Sequence, residues 1–258
     1  MVKSVKAFRD KMLGKEFETL NFGKCFIIDY KGANDVTVMF YEPVCVVKTC
    51  IQSLRSGKVR NPFYPSFYGK GFIGVGKYGY KDKIIYKLWT NMLERSFCPF
   101  YKTKAFSYRD VSVCDEWLDF QTFAKWCDSQ KFFSVRDYKG KRYHLDKDIL
   151  VKGNKVYSPE TCCFVPEDVN NLLVSCKKSR GDYPVGVVLV RSRGDFVANL
   201  SCFKKRKHLG YFSTCEEAFE AYKVAKEVHI KVVANMWRGK VDEEVYESLL
   251  KYEVDIGD

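Results

Sequence analysis

Between residues 185 and 238 three short β-forming runs are followed at once by one long helical pattern, and this order leaves few folds open. The runs are GVVLVRS, DFVANLS and KHLGYF, and STCEEAFEAYKVAKEVHIKVVANMW follows them. Ser213 or Thr214 is a good N-cap, with Glu216 and Glu217 in the first turn, where carboxylates meet the exposed N–H groups of a helix start. Ala218, Tyr222 and Ala225 fall on one face of that helix, with Phe219 flanking. Three short strands cannot bury a face alone, and one amphipathic helix laid against them completes a small α+β domain.

The chain has 258 residues, more than one compact core usually needs, and its 46% apolar and 16% aromatic content is enough to fill several small ones. An α+β fold of several modules is expected: a β-rich N-terminal module over 1–80, a helical lead-in with a small core over 81–175, and a C-terminal module over 176–258. Net charge is +12, from lysine and arginine spread along the whole chain, which favours polyanionic partners. Eleven cysteines occur with no C-x-x-C pair, and only three histidines accompany them. A structural zinc site is therefore not expected, and the cysteines read as reduced, small apolar residues of a cytosolic protein. No apolar run approaches a membrane span and no leader pattern follows MVKSVK, so a soluble intracellular protein is expected.

CFIIDY and VTVMFY read as strands joined by the turn KGAND. SGKVRNPFYPSFYGKGFIGVGKYGY then mixes glycine, proline, tyrosine and basic residues, the composition of a loop or an irregular strand. Its cations interleaved with aromatics suit a phosphate backbone, and a plain structural loop has the same composition. KIIYKLWTNMLERSF places Ile85, Leu88, Trp89, Met92 and Leu93 on one helix face, and DEWLDFQTFAKWCDSQ does so with Trp117, Phe120, Phe123 and Cys127. Such stripes are core, so Trp89, Trp117 and Trp126 are read as packing residues. Residues 174–183, VSCKKSRGDY, read as a linker.

YHLDKDILVKGNKVYSPETCCFVPEDVNNLL, residues 143–173, reads as strand, loop, strand, helix. Asp146 and Asp148 close the first strand and face one side by the period of two. Gly153-Asn154 suits a tight reversal, Pro159 breaks the second strand, and Pro166 starts the helix in its first turn, with Asn170 and Asn171 further along. This layout resembles the HNH (ββα-metal) fold of phage homing endonucleases. The resemblance implies a divalent cation held by Asp146 and Asn170, with Asn171 less well matched, and a water activated by a histidine beside the aspartate. Lys147 stands where that histidine belongs, and a protonated lysine cannot accept a proton from water. His144, two residues upstream on the same strand face, is the alternative base.

The C-terminal runs are similar to the plant ethylene-response-factor type of DNA-binding domain, also found appended to phage HNH proteins. The matching residues are Gly186-Val187, Phe196, Ala198, Leu200, Leu209-Gly210, Phe212, Thr214, Glu216-Glu217-Ala218 and Ala221-Tyr222. That family lays a three-stranded antiparallel sheet into the DNA major groove and braces it with the helix. Where family members often carry arginines after Gly-Val, this chain has Val188, Leu189 and Val190, with Arg191 and Arg193 arriving later at the hairpin. The resemblance thus implies Arg191, Arg193, Asn199 and Ser201 facing the groove, and Lys204, Lys205, Arg206 and Lys207 on phosphates. A solvated hairpin tip is the alternative account of the KKRK run.

Taken together, the expected function is site-specific binding of double-stranded DNA by a protein derived from a phage homing endonuclease. Its nuclease centre is impaired, and it acts by occupying a site, for example as a repressor in a phage or phage satellite. Binding then needs no cofactor, no membrane is involved, and the protein sits with the nucleoid in the host cytoplasm. The alternative is an active HNH endonuclease using Mg²⁺ or Mn²⁺ to cleave phage DNA. A third reading, a basic protein-interaction module, predicts no salt-dependent affinity for duplex DNA.

Overall fold

A computed structural model describes residues 9–104, 108–173, 182–203 and 205–257. Helices mix with several small sheets, an α+β architecture. The chain divides into two compact units, Met1–Ser129 and Gln130–Asp258. Most of the segment expected to be a linker, 174–181, lies outside the described residues.

The first unit opens with a four-stranded antiparallel meander, β1 (Glu16–Glu18), β2 (Lys24–Gly32), β3 (Asp35–Phe40) and β4 (Cys45–Thr49), in that order across the sheet. The expected hairpin is β2–β3. β1 and β4 were not separated from loop by sequence, β1 because three residues are too few to show a period. One face closes over α1 (Ile51–Arg55), and Cys25, Ile27, Val36, Val38, Phe40, Ile51 and Leu54 form the core. Buried positions alternate along β3 with half-buried ones, so one face of the strand meets the core and the other is only partly covered.

Two further helices, α2 (Lys83–Phe97) and α3 (Pro99–Lys104), lead to α4 (Phe120–Ser129). The second expected helix starts later than its pattern: residues Asp115–Leu118 form a 3₁₀ turn and Asp119 is extended (φ −81°, ψ 118°) before α4 begins. Asp119 Oδ1 accepts the Gln121 N–H at 2.9 Å, a side-chain cap that competes with helix continuation. Trp117 is buried all the same and its ring lies 4.6 Å from that of Trp126. Trp89 donates Nε1–H to the Trp117 carbonyl at 2.7 Å and packs on Phe120 and Phe67. The tryptophans therefore pack, as their spacing indicates.

The second unit holds a short antiparallel pair, β5 (His144–Asp146) with β6 (Cys163–Val165), followed by a one-turn helix α5 (Glu167–Asn170). A three-stranded antiparallel sheet comes next, with β8 (Asp195–Cys202) between β7 (Val187–Val190) and β9 (Lys205–Phe212). The chain ends in α6 (Cys215–Trp237) and α7 (Glu243–Leu250). Thr214 caps α6 with a full capping box: its hydroxyl accepts the Glu217 N–H, and the Glu217 carboxylate accepts the Thr214 N–H, both at 3.2 Å.

α6 has two partners along its length. Its first half covers the sheet through Ala218, Phe219 and Tyr222. Its second half, Ile230, Val233, Ala234 and Trp237, is buried near α7 and the segment before β5, where the Trp237 ring lies 6.0 Å from Tyr138 and 6.3 Å from Tyr143. Between them Lys226 donates to the Leu172 carbonyl at 2.7 Å, and burial lowers that lysine's pKa. The N-terminal sheet-bracing half is legible from its cap; the distal half depends on α7 and on Tyr138 and Tyr143, which lie far away in sequence. No described helix is long and apolar enough to cross a membrane.

Candidate functional site

Two sites emerge from the second unit, and they differ in what their residues are free to do. The first is the loop that joins β5 to β6. β5 ends at Asp146, so the period of two does not carry on to Asp148. Instead the Asp146 Oδ1 accepts the N–H groups of Asp148 (2.8 Å) and Ile149 (2.9 Å), folding the chain into a turn. Lys147 is 7% exposed, and its ammonium reaches Asp148 Oδ2 at 3.0 Å and the Asn154 carbonyl at 3.3 Å. Asn154 in turn donates Nδ2–H to the carbonyls of Lys147 (2.6 Å) and Val156 (2.7 Å). The reversal falls at 151–154, where the Asn154 N–H bonds the Val151 carbonyl and Gly153 adopts φ +78°. Lys147 is thus a staple of this loop, and the two extended pieces of the expected second strand, Val156–Tyr157 and Cys163–Val165, are separated by the turn at Ser158–Cys162 that contains Pro159.

Burial and the neighbouring Asp148 carboxylate push the Asp146 pKa up to about 6. The thiols behind it are held protonated by burial, Cys162 at about 12 and Cys163 well above the ordinary thiol value. Ten cysteines are described and all are free. Pro166 is the N-cap of α5, one residue ahead of the first-turn position expected for it. α5 is a single turn with Asn170 at its end and half-buried, while Asn171 is exposed. Its two first-turn carboxylates, which sequence reasoning passed over, are pinned from the turn at 137–141. Tyr138 and Lys139 hold Asp168 at 2.9 and 2.6 Å, and Lys141 holds Glu167 at 2.8 Å. His144 is exposed, with Glu167 close enough to feel its charge.

A divalent cation of this chemistry needs several oxygen donors converging on one point. Among the described residues no three His, Cys, Asp or Glu side chains do so. One Asp146 oxygen is committed to backbone N–H groups and Asp148 is paired with an ammonium, so the donors present do not fit the cation that the HNH resemblance implies. No step through a metal is derived from them.

The second site is the sheet β7–β9. Residues directly opposite across β8 and β9 point to one side, and the register pairs Val197 with Tyr211, Asn199 with His208, and Ser201 with Arg206. Val188 joins them from β7 opposite Val197. The alternate set (Val187, Ala198, Leu200) is buried on the helix side; in the outer set Val197 is buried too, while Ser201, Arg206, His208 and Tyr211 are exposed. A register shift after Ala198 makes room for Leu209 without turning the polar set inward. Arg191 and Arg193 lie in the loop closing β7 to β8, where the Arg193 and Gly194 N–H groups bond the Val190 carbonyl. Arg193 is positioned rather than loose: Nε sits 3.3 Å from Asp195 Oδ2 and the guanidinium lies 4.4 Å over the Tyr211 ring. His208 and Tyr211 rings are 4.9 Å apart.

The structure thus gathers Arg193, Asn199, Ser201 and Arg206 with Tyr211 and His208, two residues that a search for arginine and asparagine passes over. The KKRK run does not act as one patch. Arg206 shares the outer face, whereas Lys205 and Lys207, opposite Cys202 and Leu200, project to the other side and are exposed there. Lys204 lies outside the described residues. His229 is set behind the sheet on α6, its ring against Phe203 at 4.9 Å, and burial lowers its pKa. No protein-family model, curated protein or solved structure matches the chain.

Proposed function

We propose that the chain binds double-stranded DNA site-specifically through the outer face of the β7–β9 sheet, and that it acts by occupying its site, as a repressor in a phage or phage satellite would. The observation that carries this reading is the outer face itself. It presents an ordered arginine stacked on Tyr211, beside His208, Asn199, Ser201 and Arg206, on a helix-braced sheet in a chain of net charge +12. A two- or three-stranded ribbon fits the major groove, where arginine reads guanine and asparagine reads adenine. Val188, 49% exposed, adds an apolar contact of the kind a thymine methyl group accepts.

The β5–β6–α5 segment is proposed as a derivative of an HNH centre that has lost cleavage, with Lys147 spent on the loop and Asp146 on its turn. The proposed location is the host cytoplasm, on the nucleoid. Selection of bound fragments from a phage genome, followed by incubation of the selected duplex with Mg²⁺ or Mn²⁺, tests both statements. The expected result is a retarded and uncut duplex. Nicking that disappears in Asp146→Ala would establish the active endonuclease instead, and no enrichment of any fragment would remove site-specificity.

Within this reading the residues divide by role. Arg193→Ala and Arg191→Ala are expected to weaken the selected site about tenfold while leaving random duplex nearly unchanged. Arg206→Ala, the one described member of the KKRK run on the outer face, is expected to weaken both alike and to lower the salt slope by about one. Equal losses from all three in a titration against both duplexes would mean that the sheet only holds the backbone.

A further inference from the structure

The glycine-rich segment of the first unit has a surface that the sheet does not account for. Residues 57–87 contain seven lysines and arginines against one acid, Asp82, and all seven cations are exposed. The segment has almost no regular structure, yet it is fixed. Gln121 on α4 accepts the Tyr78 N–H at 3.1 Å and donates to the carbonyls of Ile73 (2.9 Å) and Tyr78 (3.0 Å). A Cβ at Gly74 or Gly76 would overlap Asp119 or Gln121, and one at Gly71 would overlap Leu93, so glycine lets the backbone lie against α4 and α2. The Gly74 N–H closes the segment onto the Pro62 carbonyl at 2.9 Å.

Fixing the backbone also gathers side chains. Arg60 lies 5.3 Å over the exposed Tyr80 ring, and Tyr80 packs on Tyr86 at 5.1 Å. Tyr86 sits on the first turns of α2 between Lys83 and Lys87, a pair spaced i,i+4 and both exposed. Tyr68 is held with φ +53°, a conformation that costs an L-residue about 1 kcal/mol, and its ring is 45% exposed. Core packing does not explain cations, an exposed tyrosine and left-handed backbone on one fixed loop. A cation held in place, as Arg60 is over Tyr80, loses little freedom on meeting a phosphate backbone, and each phosphate neutralised releases condensed counterions.

We propose that this face of the first unit is a second, sequence-independent contact for the sugar–phosphate backbone of duplex DNA. The proposal rests on the DNA-binding reading of the β7–β9 sheet. Two contacts on one chain raise affinity through effective concentration, whatever each alone provides.

The test uses the full chain, wild type against Arg60→Gln/Lys83→Gln/Lys87→Gln, binding a random-sequence duplex and the selected duplex over a salt series. The triple variant is expected to show a slope of log affinity against log salt shallower by about 2 to 3, with the preference for the selected duplex unchanged. Lys83→Gln/Lys87→Gln, which spares the Arg60–Tyr80 stack, is expected to lose about 2 of that slope. A folded triple variant with the wild-type slope overturns this contact while leaving the sheet's role standing, provided Arg193→Ala still lowers discrimination about tenfold. A wild-type chain that binds no duplex at low salt overturns the DNA reading and this contact with it. A slope change confined to single-stranded DNA overturns the assignment to duplex.

Discussion

Gly186→Ala is expected to destabilise the second unit by about 3 kcal/mol. Two independent costs meet at this residue. Its φ of +80° lies in left-handed space, where alanine costs about 1 to 2 kcal/mol. A Cβ there would also overlap the ring of Tyr222, which is buried on the sheet-facing side of α6. Forcing such an overlap costs about 1 to 3 kcal/mol. The backbone cannot swing away cheaply, because the Gly186 carbonyl accepts the Asn199 N–H at 2.8 Å and so continues the β7–β8 pairing. Gly194→Ala is the matched control: φ is +77° but no atom lies within 4 Å of its Cβ position, so only the conformational cost of about 1 to 2 kcal/mol applies. Hydrogen exchange at the amides of β7 and β8 reads the difference locally. Equal losses for the two variants would mean that Tyr222 yields freely and that the close approach carries no energy.

Asp146→Asn is expected to make the protein more stable at pH 7.5, by about 2 kcal/mol, an unusual outcome for a residue in this position. The Asp146 carboxyl is raised to about 6 by burial and by Asp148. A group whose folded pKa exceeds its unfolded value of 3.8 contributes most below the unfolded pKa, and that contribution is lost as pH rises through about 6. Above pH 6 the wild type therefore holds a partly buried anion near a second anion. Asparagine keeps the oxygen that accepts the Asp148 and Ile149 N–H groups and offers an N–H toward Asp148, as the protonated acid does. A shift of about two pKa units corresponds to about 3 kcal/mol, and imperfect replacement takes part of it back. Thermal melts from pH 4 to 8 should show a gap that is widest above pH 6 and closes toward pH 4. A gap independent of pH sinks this account. Stabilisation of the wild type by Mn²⁺ that is absent from Asp146→Asn would show that the carboxylate is kept charged for a cation.

What could be read from the sequence was what local chemistry decides. Thr214, Glu217 and the Ala218–Tyr222 spacing define the start of α6 because a cap and a helix face need only neighbours. Likewise the β2–β3 hairpin follows from two β-forming runs around a short turn. The helix expected from Asp115 was misplaced because Asp119 caps Gln121 and interrupts a pattern whose apolar residues still end up buried. The candidate site was legible in position but not in use. Asp146, Lys147 and Asn154 look like free polar groups in one dimension, and it is the return of the loop that commits each of them to another. Tyr211 and His208 were hidden for a similar reason: their membership of the outer face depends on a register shift opposite Ala198 and Asn199.

The double occupancy of α6 is expected to make the sheet and the neighbouring hairpin open together. Removing residues 130–175 would strip Trp237 of Tyr138 and Tyr143 and leave Lys226 without its carbonyl, so the sheet would lose the distal half of the beam that braces it. Conversely, whatever clamps the outer face raises the free energy needed to open the hairpin, since a ligand that binds only the folded form stabilises everything that unfolds with it. The Asp146–Lys147–Asn154 loop is therefore a built-in reporter: its amides should exchange more slowly with solvent when the sheet, on the far end of the same helix, is occupied.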